Sequence, residues 1–194
     1  MDLGCGANPF VAEYADRFRF AAGCDRDLRL CARAARPFFI GDFSCLPLAD
    51  GSTDLVTLYL VAEHMERPVQ ALREIRRVLK PGGRIVLCAS LKYFWGSLLN
   101  QVLPEAVKIR LLGLLAGKQE EDVFKAYYRM NTLYEAEKAL KEAGFSGIKI
   151  KSYCGYYQFS TLFFHVQRFI HCHTLLGRTA LMRSHFLAQG VKLT

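Results

Sequence analysis

A glycine-rich turn at the start of the chain constrains the fold more than any other stretch. Residues 2–9 read Asp-Leu-Gly-Cys-Gly-Ala-Asn-Pro, so an acidic residue and two glycines come directly before a good helix start. Gly4 and Gly6 can take backbone angles that a Cβ atom would forbid, and they leave room for a ligand against the main chain. Asn8 is a favourable N-cap, and Pro9 suits the first helical position. This stretch therefore predicts the end of a strand, a tight turn and a helix, with a nucleotide-type pocket beside them.

The glycine pattern by itself is weak evidence for a ligand. A dinucleotide-binding fingerprint requires a third glycine at position 9, where this chain has Pro9. A strand-to-helix turn that binds nothing is the alternative interpretation. The decision between them depends on the residues that follow.

Strand and helix patterns alternate along most of the chain. Apolar runs predict strands at 20–24, 38–40, 55–61 and 84–89, and helical spacing predicts helices at 9–19, 27–37 and 68–80. Thr132 and Glu135 form a capping-box pattern that opens a further helix ending at Gly144, and alternation predicts a strand at 148–151. This alternation is typical of an α/β fold with a mostly parallel sheet.

Three acidic residues fall at the ends of the first three predicted strands. They are Asp2, Asp25 and Asp42. Ligands of open α/β sheets bind beyond the carboxyl ends of the strands, where these side chains would converge. Asp25 follows Gly6 by 19 residues, close to the ~20 expected for a carboxylate that accepts the ribose hydroxyls of a nucleotide.

An ordered set of motifs resembles the class I S-adenosylmethionine-dependent methyltransferases of the small-molecule type. The motifs are Asp2-x-Gly4-x-Gly6, Gly23-Cys24-Asp25, the run 41–56 beginning Gly-Asp-Phe, Glu63-His64, and the run 74–83 ending Lys-Pro-Gly-Gly. The resemblance covers about residues 2–90 and extends more loosely over 145–192. It implies a three-layer Rossmann-like sandwich with sheet order 3-2-1-4-5-7-6 and S-adenosylmethionine as the cofactor.

The resemblance also implies roles for individual residues. The cofactor-binding residues would be Asp2, Gly4, Cys5, Gly6, Asp25, Asp42, Phe43 and Tyr59. The methionine part would lie on the glycine turn with Asp2 at its amino end, and Asp25 would take the ribose. Asp42 and the Phe43 amide would face the adenine, and a carbonyl near Tyr59 would face the methionine amine.

The first strand has few residues before its glycine turn, although it is central in the implied sheet. Unpaired buried amides and carbonyls cost ~1 to 3 kcal/mol each. We therefore expect this chain to be a shortened form of a longer protein.

Composition favours one cytosolic globular domain over residues 1–194. Apolar residues make up 52% of the chain, yet no run reaches the ~18 to 20 residues of a membrane span. The seven cysteines include no CxxC pair and indicate buried, reduced thiols. A metal site is not predicted from the candidate ligands His165, His171, Cys172 and His173, because adjacent residues on a helix point in different directions.

Residues 91–130 predict a helical cap inserted over the acceptor pocket. Tyr93, Phe94 and Trp95 follow the fifth strand directly, and two apolar helical segments come after them. A later amphipathic helix over 157–176 either packs on this cap or contacts an anionic membrane surface or lipid-like substrate. Residues 91–194 carry 14 Lys and Arg against 7 Asp and Glu, which favours an anionic partner, but no RNA-binding signature argues for nucleic acid.

We therefore predict methyl transfer to a small or lipid-linked acceptor. His64 is the best-placed general base for a hydroxyl acceptor, and Tyr93 and Tyr128 are weaker candidates. His64 as an ordinary loop residue, bonded to backbone, remains an equal alternative. A non-catalytic cofactor-binding fold or a truncated inactive fragment is the second hypothesis. A nicotinamide-dependent oxidoreductase is disfavoured by Pro9.

Overall fold

The fold is a seven-stranded, mostly parallel sheet with helices packed on it. This computed structural model describes residues 1–6, 13–27, 29, 37–104, 107, 125–154, 164–166, 168–169, 172 and 183–194. The strands are β1 (Asp2–Leu3), β2 (Gly23–Asp25), β3 (Phe38–Ile40), β4 (Thr53–Tyr59), β5 (Leu79–Ser90), β6 (Ser146–Tyr153) and β7 (His185–Val191). Their order is β3-β2-β1-β4-β5-β7-β6, so the predicted fold class and strand order are confirmed.

The strand directions fix the edge where the sheet can bind a ligand. The first five strands pair in parallel, and β7 lies antiparallel between β5 and β6. The central strand β1 has two residues, and both pair with β2 on one side and β4 on the other. The carboxyl ends of β1 to β5 therefore lie along one edge, which is the edge that the sequence predicts for the site.

Two of the three described α-helices cover one face of the sheet. They are α1 (Pro68–Val78) and α3 (Leu133–Glu142), and α2 (Trp95–Val102) follows β5. Leu72 and Ile75 of α1 and Leu140 of α3 are fully buried in the core with Leu87 of β5. Thr132 caps α3 by accepting a 3.1 Å hydrogen bond from the Glu135 amide, as the sequence pattern predicts.

Several element boundaries differ from the sequence predictions. Strand β4 ends at Tyr59 rather than Val61, because Leu60 takes a positive φ of 56° that ends the extended backbone. Helix α1 ends at Val78, and the chain is already extended at Leu79, which pairs with Thr53. Phe20 is 70% exposed and lies outside the sheet, so β2 begins only at Gly23.

Several predictions fall on residues outside the described ranges. They concern the cap of the first helix at Asn8 and Pro9, the helix at 27–37, most of the cap after Pro104, and most of the helix at 157–176. Ala15–Arg17 form a single 3-10 turn, and residues 164–166, 168–169 and 172 are helical. Within the part of the chain that is described, no helix has the length and apolar character needed to cross a membrane.

Candidate functional site

A cavity of about 460 Å³ lies at the carboxyl ends of the first four strands. This volume falls in the range of small-molecule sites. The cavity is lined by six of the nine residues that the sequence predicts for the site, namely Gly4, Gly6, Asp25, Asp42, Phe43 and His64. The tertiary structure therefore brings most of the predicted cofactor residues together with the candidate base.

The glycine turn after β1 requires glycine for two different reasons. Gly4 and Gly6 have φ values of +68° and +58°, which L-residues rarely adopt. A Cβ at Gly4 would lie 2.5 Å from a methyl carbon of Val61, so the protein itself fills that space. Apart from its chain neighbours, no atom of the described residues would lie within 4 Å of a Cβ at Gly6. Gly6 itself lines the cavity.

Asp25 connects the turn after β1 to the end of β2. Its Oδ2 accepts a 3.0 Å hydrogen bond from the Gly6 amide, and its Oδ1 accepts a 3.1 Å hydrogen bond from the Asp27 amide. A carboxylate oxygen has two lone-pair sites, so each oxygen can accept one further donor. This is the capacity that two ribose hydroxyls would require.

Asp42 is held at the end of β3 by its neighbour Ser44. The Ser44 amide and hydroxyl both donate to Oδ1 of Asp42. These hydrogen bonds lower the pKa of the Asp42 carboxyl below its usual value. The side chain is therefore an ionised acceptor at neutral pH, beside Phe43 and on the cavity wall.

Three predicted cofactor residues lie outside the cavity wall. Asp2 is 2% exposed, and its Oδ1 accepts a 2.6 Å hydrogen bond from the Thr57 hydroxyl of β4. The Cys5 thiol is buried next to Gly23, and burial raises its pKa to about 12. The Tyr59 side chain is 52% exposed, and the cavity is lined instead by Leu60, the next residue.

His64 is positioned by a segment that is distant in sequence. It ends a 3-10 turn, Ala62–His64, and its Nδ1 donates a 2.9 Å hydrogen bond to the Lys125 carbonyl. Because a carbonyl only accepts, Nδ1 carries a hydrogen, and in the neutral tautomer with this hydrogen the lone pair is on Nε2. Tyr127 lines the same cavity, with the Lys125 ammonium 4.9 Å from its ring centroid.

Several residues that line the cavity carry no functional signal in the sequence. Leu60, Val61, Met65 and Gln70 are ordinary core or helix residues by type, and nothing in their spacing marks them. Tyr127 lies in a segment that the sequence identifies only as aromatic, 63 residues after His64. Its placement depends on the packing of residues 125–131 against the Ala62–His64 turn.

Comparisons with known proteins agree with this architecture. A family model described as a methyltransferase domain matches residues 1–87. A protein of Encephalitozoon cuniculi named as a methyltransferase is 31% identical over 163 residues, covering 77% of this chain and 70% of its own length. The chain belongs to the class I S-adenosylmethionine-dependent methyltransferase family.

Other relatives of this methyltransferase-family chain match over a shorter stretch. A demethylmenaquinone methyltransferase of Paenarthrobacter aurescens is 36% identical over 92 residues, covering 45% of this chain and 36% of its own length. The matched stretch covers 36% of this relative's length, and 28% and 40% of the lengths of two other relatives that each also match over 45% of this chain. The solved structure of a SAM-dependent methyltransferase from Methanosarcina mazei superimposes with a TM-score of 0.65 at 17% identity, covering 99% of this chain and 91% of that one.

The residues at the cavity fit the cofactor that the family implies. S-adenosylmethionine presents donors in its two ribose hydroxyls, its adenine amino group and the ammonium of its amino-acid end. Asp25 and Asp42 supply acceptor oxygens at the ends of neighbouring strands, and Gly6 supplies backbone that no side chain of the described residues approaches, its chain neighbours aside.

Proposed function

We propose that this protein transfers a methyl group from S-adenosylmethionine to a small or lipid-linked acceptor. The observation that supports this proposal is the shared cavity, which is lined by Gly6, Asp25 and Asp42 after β1 to β3 and also by His64 and Tyr127. A donor site and an acceptor site that open into one cavity are what a group transfer requires, because positioning supplies much of its rate acceleration.

The cofactor would be held mainly by three elements. The turn at Gly4 and Gly6 would lie under the methionine part, Asp25 would accept from the ribose hydroxyls, and Asp42 with the Phe43 amide would face the adenine. The carbonyl of Tyr59 would face the methionine amine. The side chains of Asp2 and Cys5 would support the turn from behind, since both are buried away from the cavity.

His64 would act as a general base where the acceptor atom is a hydroxyl oxygen. The bound cofactor supplies an activated methyl group on a sulfonium. The Lys125 carbonyl fixes the imidazole tautomer, so Nε2 can take the hydroxyl proton as the oxygen attacks the methyl carbon. The chain's contribution is thus orientation of the acceptor and removal of one proton.

A lipid-linked acceptor is supported by one relative and by the charge of the second half of the chain. Demethylmenaquinone methyltransferase, whose name specifies a quinone-type acceptor, shares 36% identity over 92 residues with this chain. Residues 91–194 carry 14 Lys and Arg against 7 Asp and Glu. We extend the proposal to peripheral contact with an anionic membrane, with residues 91–130 acting as a cap that admits the acceptor.

Two measurements in sequence test the proposal. Calorimetric titration with S-adenosylhomocysteine should show one site per chain, and its absence would overturn the cofactor assignment. Transfer of labelled methyl from S-adenosylmethionine should then be measured with a demethylated quinol and with water-soluble phenols, in the presence and absence of anionic vesicles. Cofactor binding without transfer to any of them would favour the non-catalytic hypothesis.

A further inference from the structure

The side chain of Glu63 is buried next to the part of the cavity that His64 and Tyr127 line, which is called the acceptor side below. Glu63 is 7% exposed although it lies next to His64, which lines the cavity. Its Oε1 accepts a 3.0 Å hydrogen bond from the Ser90 hydroxyl at the end of β5. Its Oε2 is buried and has no hydrogen-bond partner among the described residues. A carboxylate in this environment would be poorly satisfied.

A second buried side chain bonds to the same residue of β5. Asn131 is fully buried, and its Nδ2 donates a 2.8 Å hydrogen bond to the Ser90 carbonyl. The Lys92 amide donates to the Asn131 carbonyl over 2.8 Å. Ser90 thus holds the Ala62–His64 turn through Glu63 and the segment 125–131 through Asn131.

The backbone of Glu63 joins these two segments to each other. Its carbonyl accepts hydrogen bonds from the Tyr127 amide at 2.7 Å and the Tyr128 amide at 3.2 Å. Tyr128 has a positive φ of 51°, a conformation that a tyrosine adopts only when its surroundings enforce it. The orientation of Tyr127 and His64 in the cavity therefore depends on where Glu63 lies.

We propose that Glu63 is a positioning residue: as a neutral carboxylic acid it holds the Ala62–His64 turn against Ser90, and through that turn it keeps Tyr127 and His64 at the acceptor side of the cavity. This inference rests on the proposed function in that it takes this side of the cavity as the acceptor side. Ionisation of the carboxyl would then loosen the segment 125–128.

The surroundings of Glu63 favour the protonated form. Burial raises the pKa of Glu63 above the usual carboxyl range, whereas its own backbone amide, the neighbouring His64 and the Ser90 hydroxyl act in the opposite direction. Among the described residues, Cys88 of β5 and Tyr128 of the segment 125–131 also face it, and burial raises the pKa of both. A thiol and a phenol are neutral or anionic, so neither can offer a cation to a Glu63 carboxylate.

Hydrogen exchange tests this inference without an acceptor. Exchange of the peptide containing Tyr127 and Tyr128 should be followed between about pH 5 and pH 9 in the wild type, Glu63→Gln and Glu63→Leu, corrected for intrinsic rates. In the wild type, protection should fall by about tenfold per pH unit from the ordinary carboxyl range up to the raised pKa of Glu63, and level off above it.

The two variants distinguish the effect of ionising Glu63 from the effect of losing its polar side-chain atoms. Glu63→Gln, which resembles the neutral acid, should keep its protection across the whole range, whereas Glu63→Leu should lose it at every pH. The β6 peptide 146–153 serves as the internal reference. Identical pH dependence in wild type and Glu63→Gln would overturn the inference, as would full protection in Glu63→Leu. If Glu63→Leu does not fold, Glu63→Gln alone decides.

Failure of the proposed function would appear in a different measurement. Loss of S-adenosylhomocysteine binding by the wild-type protein would overturn the cofactor site and leave the exchange result standing. Conversely, a wild type that binds the cofactor but shows no pH-dependent exchange would overturn only the role of Glu63.

Discussion

The Gly6 amide donates a 3.0 Å hydrogen bond to Oδ2 of Asp25, which joins the turn after β1 to the end of β2. The sequence separates these two residues by a helix pattern, yet the sheet places them together at one edge of the cavity. Asp25 is therefore both a proposed ligand of the ribose and a support for the glycine turn.

Replacement of Asp25 should weaken cofactor binding. Asp25→Ala removes an acceptor of charge-assisted hydrogen bonds, so binding of S-adenosylhomocysteine should weaken by ~1.5 to 3 kcal/mol as measured by calorimetry. Asp54→Ala is a matched control, because Asp54 pairs with Lys80 and its side chain is 81% exposed. Unchanged affinity in Asp25→Ala would show that the end of β2 does not contact the cofactor.

Gly6 and Gly51 have similar φ values, so alanine substitutions at these two positions distinguish backbone strain from contact with a ligand. The two φ values are +58° and +59°, and a Cβ at either glycine would meet no atom of the described residues within 4 Å apart from its chain neighbours. Alanine at either position should therefore lower the free energy of unfolding by a similar amount, about 1–2 kcal/mol. Only Gly6→Ala should also weaken binding of S-adenosylhomocysteine, by about tenfold or more, since its Cβ would project into the cavity. Equal affinities in the two variants would contradict the placement of the cofactor on Gly6.

One substitution of His64 can keep the hydrogen bond to the Lys125 carbonyl and remove the proposed general base, Nε2. In His64→Asn the amide nitrogen replaces Nδ1 and can still donate to the Lys125 carbonyl, while nothing replaces Nε2. For a hydroxyl acceptor, kcat should fall by about 10²- to 10⁴-fold with cofactor affinity preserved, as measured by steady-state kinetics and calorimetry. His165→Asn, a change at an exposed histidine, is the control. Retention of full kcat would assign His64 a purely structural role.

An ion-pair network on α1 should make stability depend on acid pH. Both oxygens of Glu74 accept from Arg77, and Oε1 also accepts from the Leu46 amide at 2.8 Å. The Arg77 hydrogen bonds lower the pKa of Glu74, so the stabilisation is present above the ordinary carboxyl pKa and is lost as the pH falls through the lowered value. Glu74→Gln should lower the free energy of unfolding by about 1.5–3 kcal/mol at pH 7, and the difference should shrink on acidification.

The control for this prediction is an exposed ion pair between a glutamate and a lysine. Glu137 pairs with Lys141 on α3, and their side chains are 48% and 64% exposed. Because water screens such a pair, Glu137→Gln should change the free energy of unfolding by less than about 0.5 kcal/mol in urea denaturation at either pH. A loss in Glu74→Gln no larger than in Glu137→Gln would remove the proposed contribution of the network.

The sequence by itself determined the α/β class, five residues of the cavity wall and, through a family resemblance, the strand order. The class and the cavity residues depend on local patterns: apolar runs mark buried strands, and the glycine turn and the strand-end aspartates Asp25 and Asp42 have fixed positions relative to those strands. Parallel strands then bring their carboxyl ends to one edge without further information.

Only the tertiary structure decided that Tyr127 lines the cavity with His64, and where the strands begin and end. Leu60 ends β4 through a positive φ, a conformation that a leucine at this position does not suggest. Tyr127, Lys125 and Asn131 reach the site through hydrogen bonds to the Ala62–His64 turn and to Ser90, across 41 to 64 residues of sequence. Long-range packing of this kind depends on the shape of the whole core, whereas local propensity reports only on neighbouring residues. This is why the sequence contains no sign that Glu63 is buried in the fold.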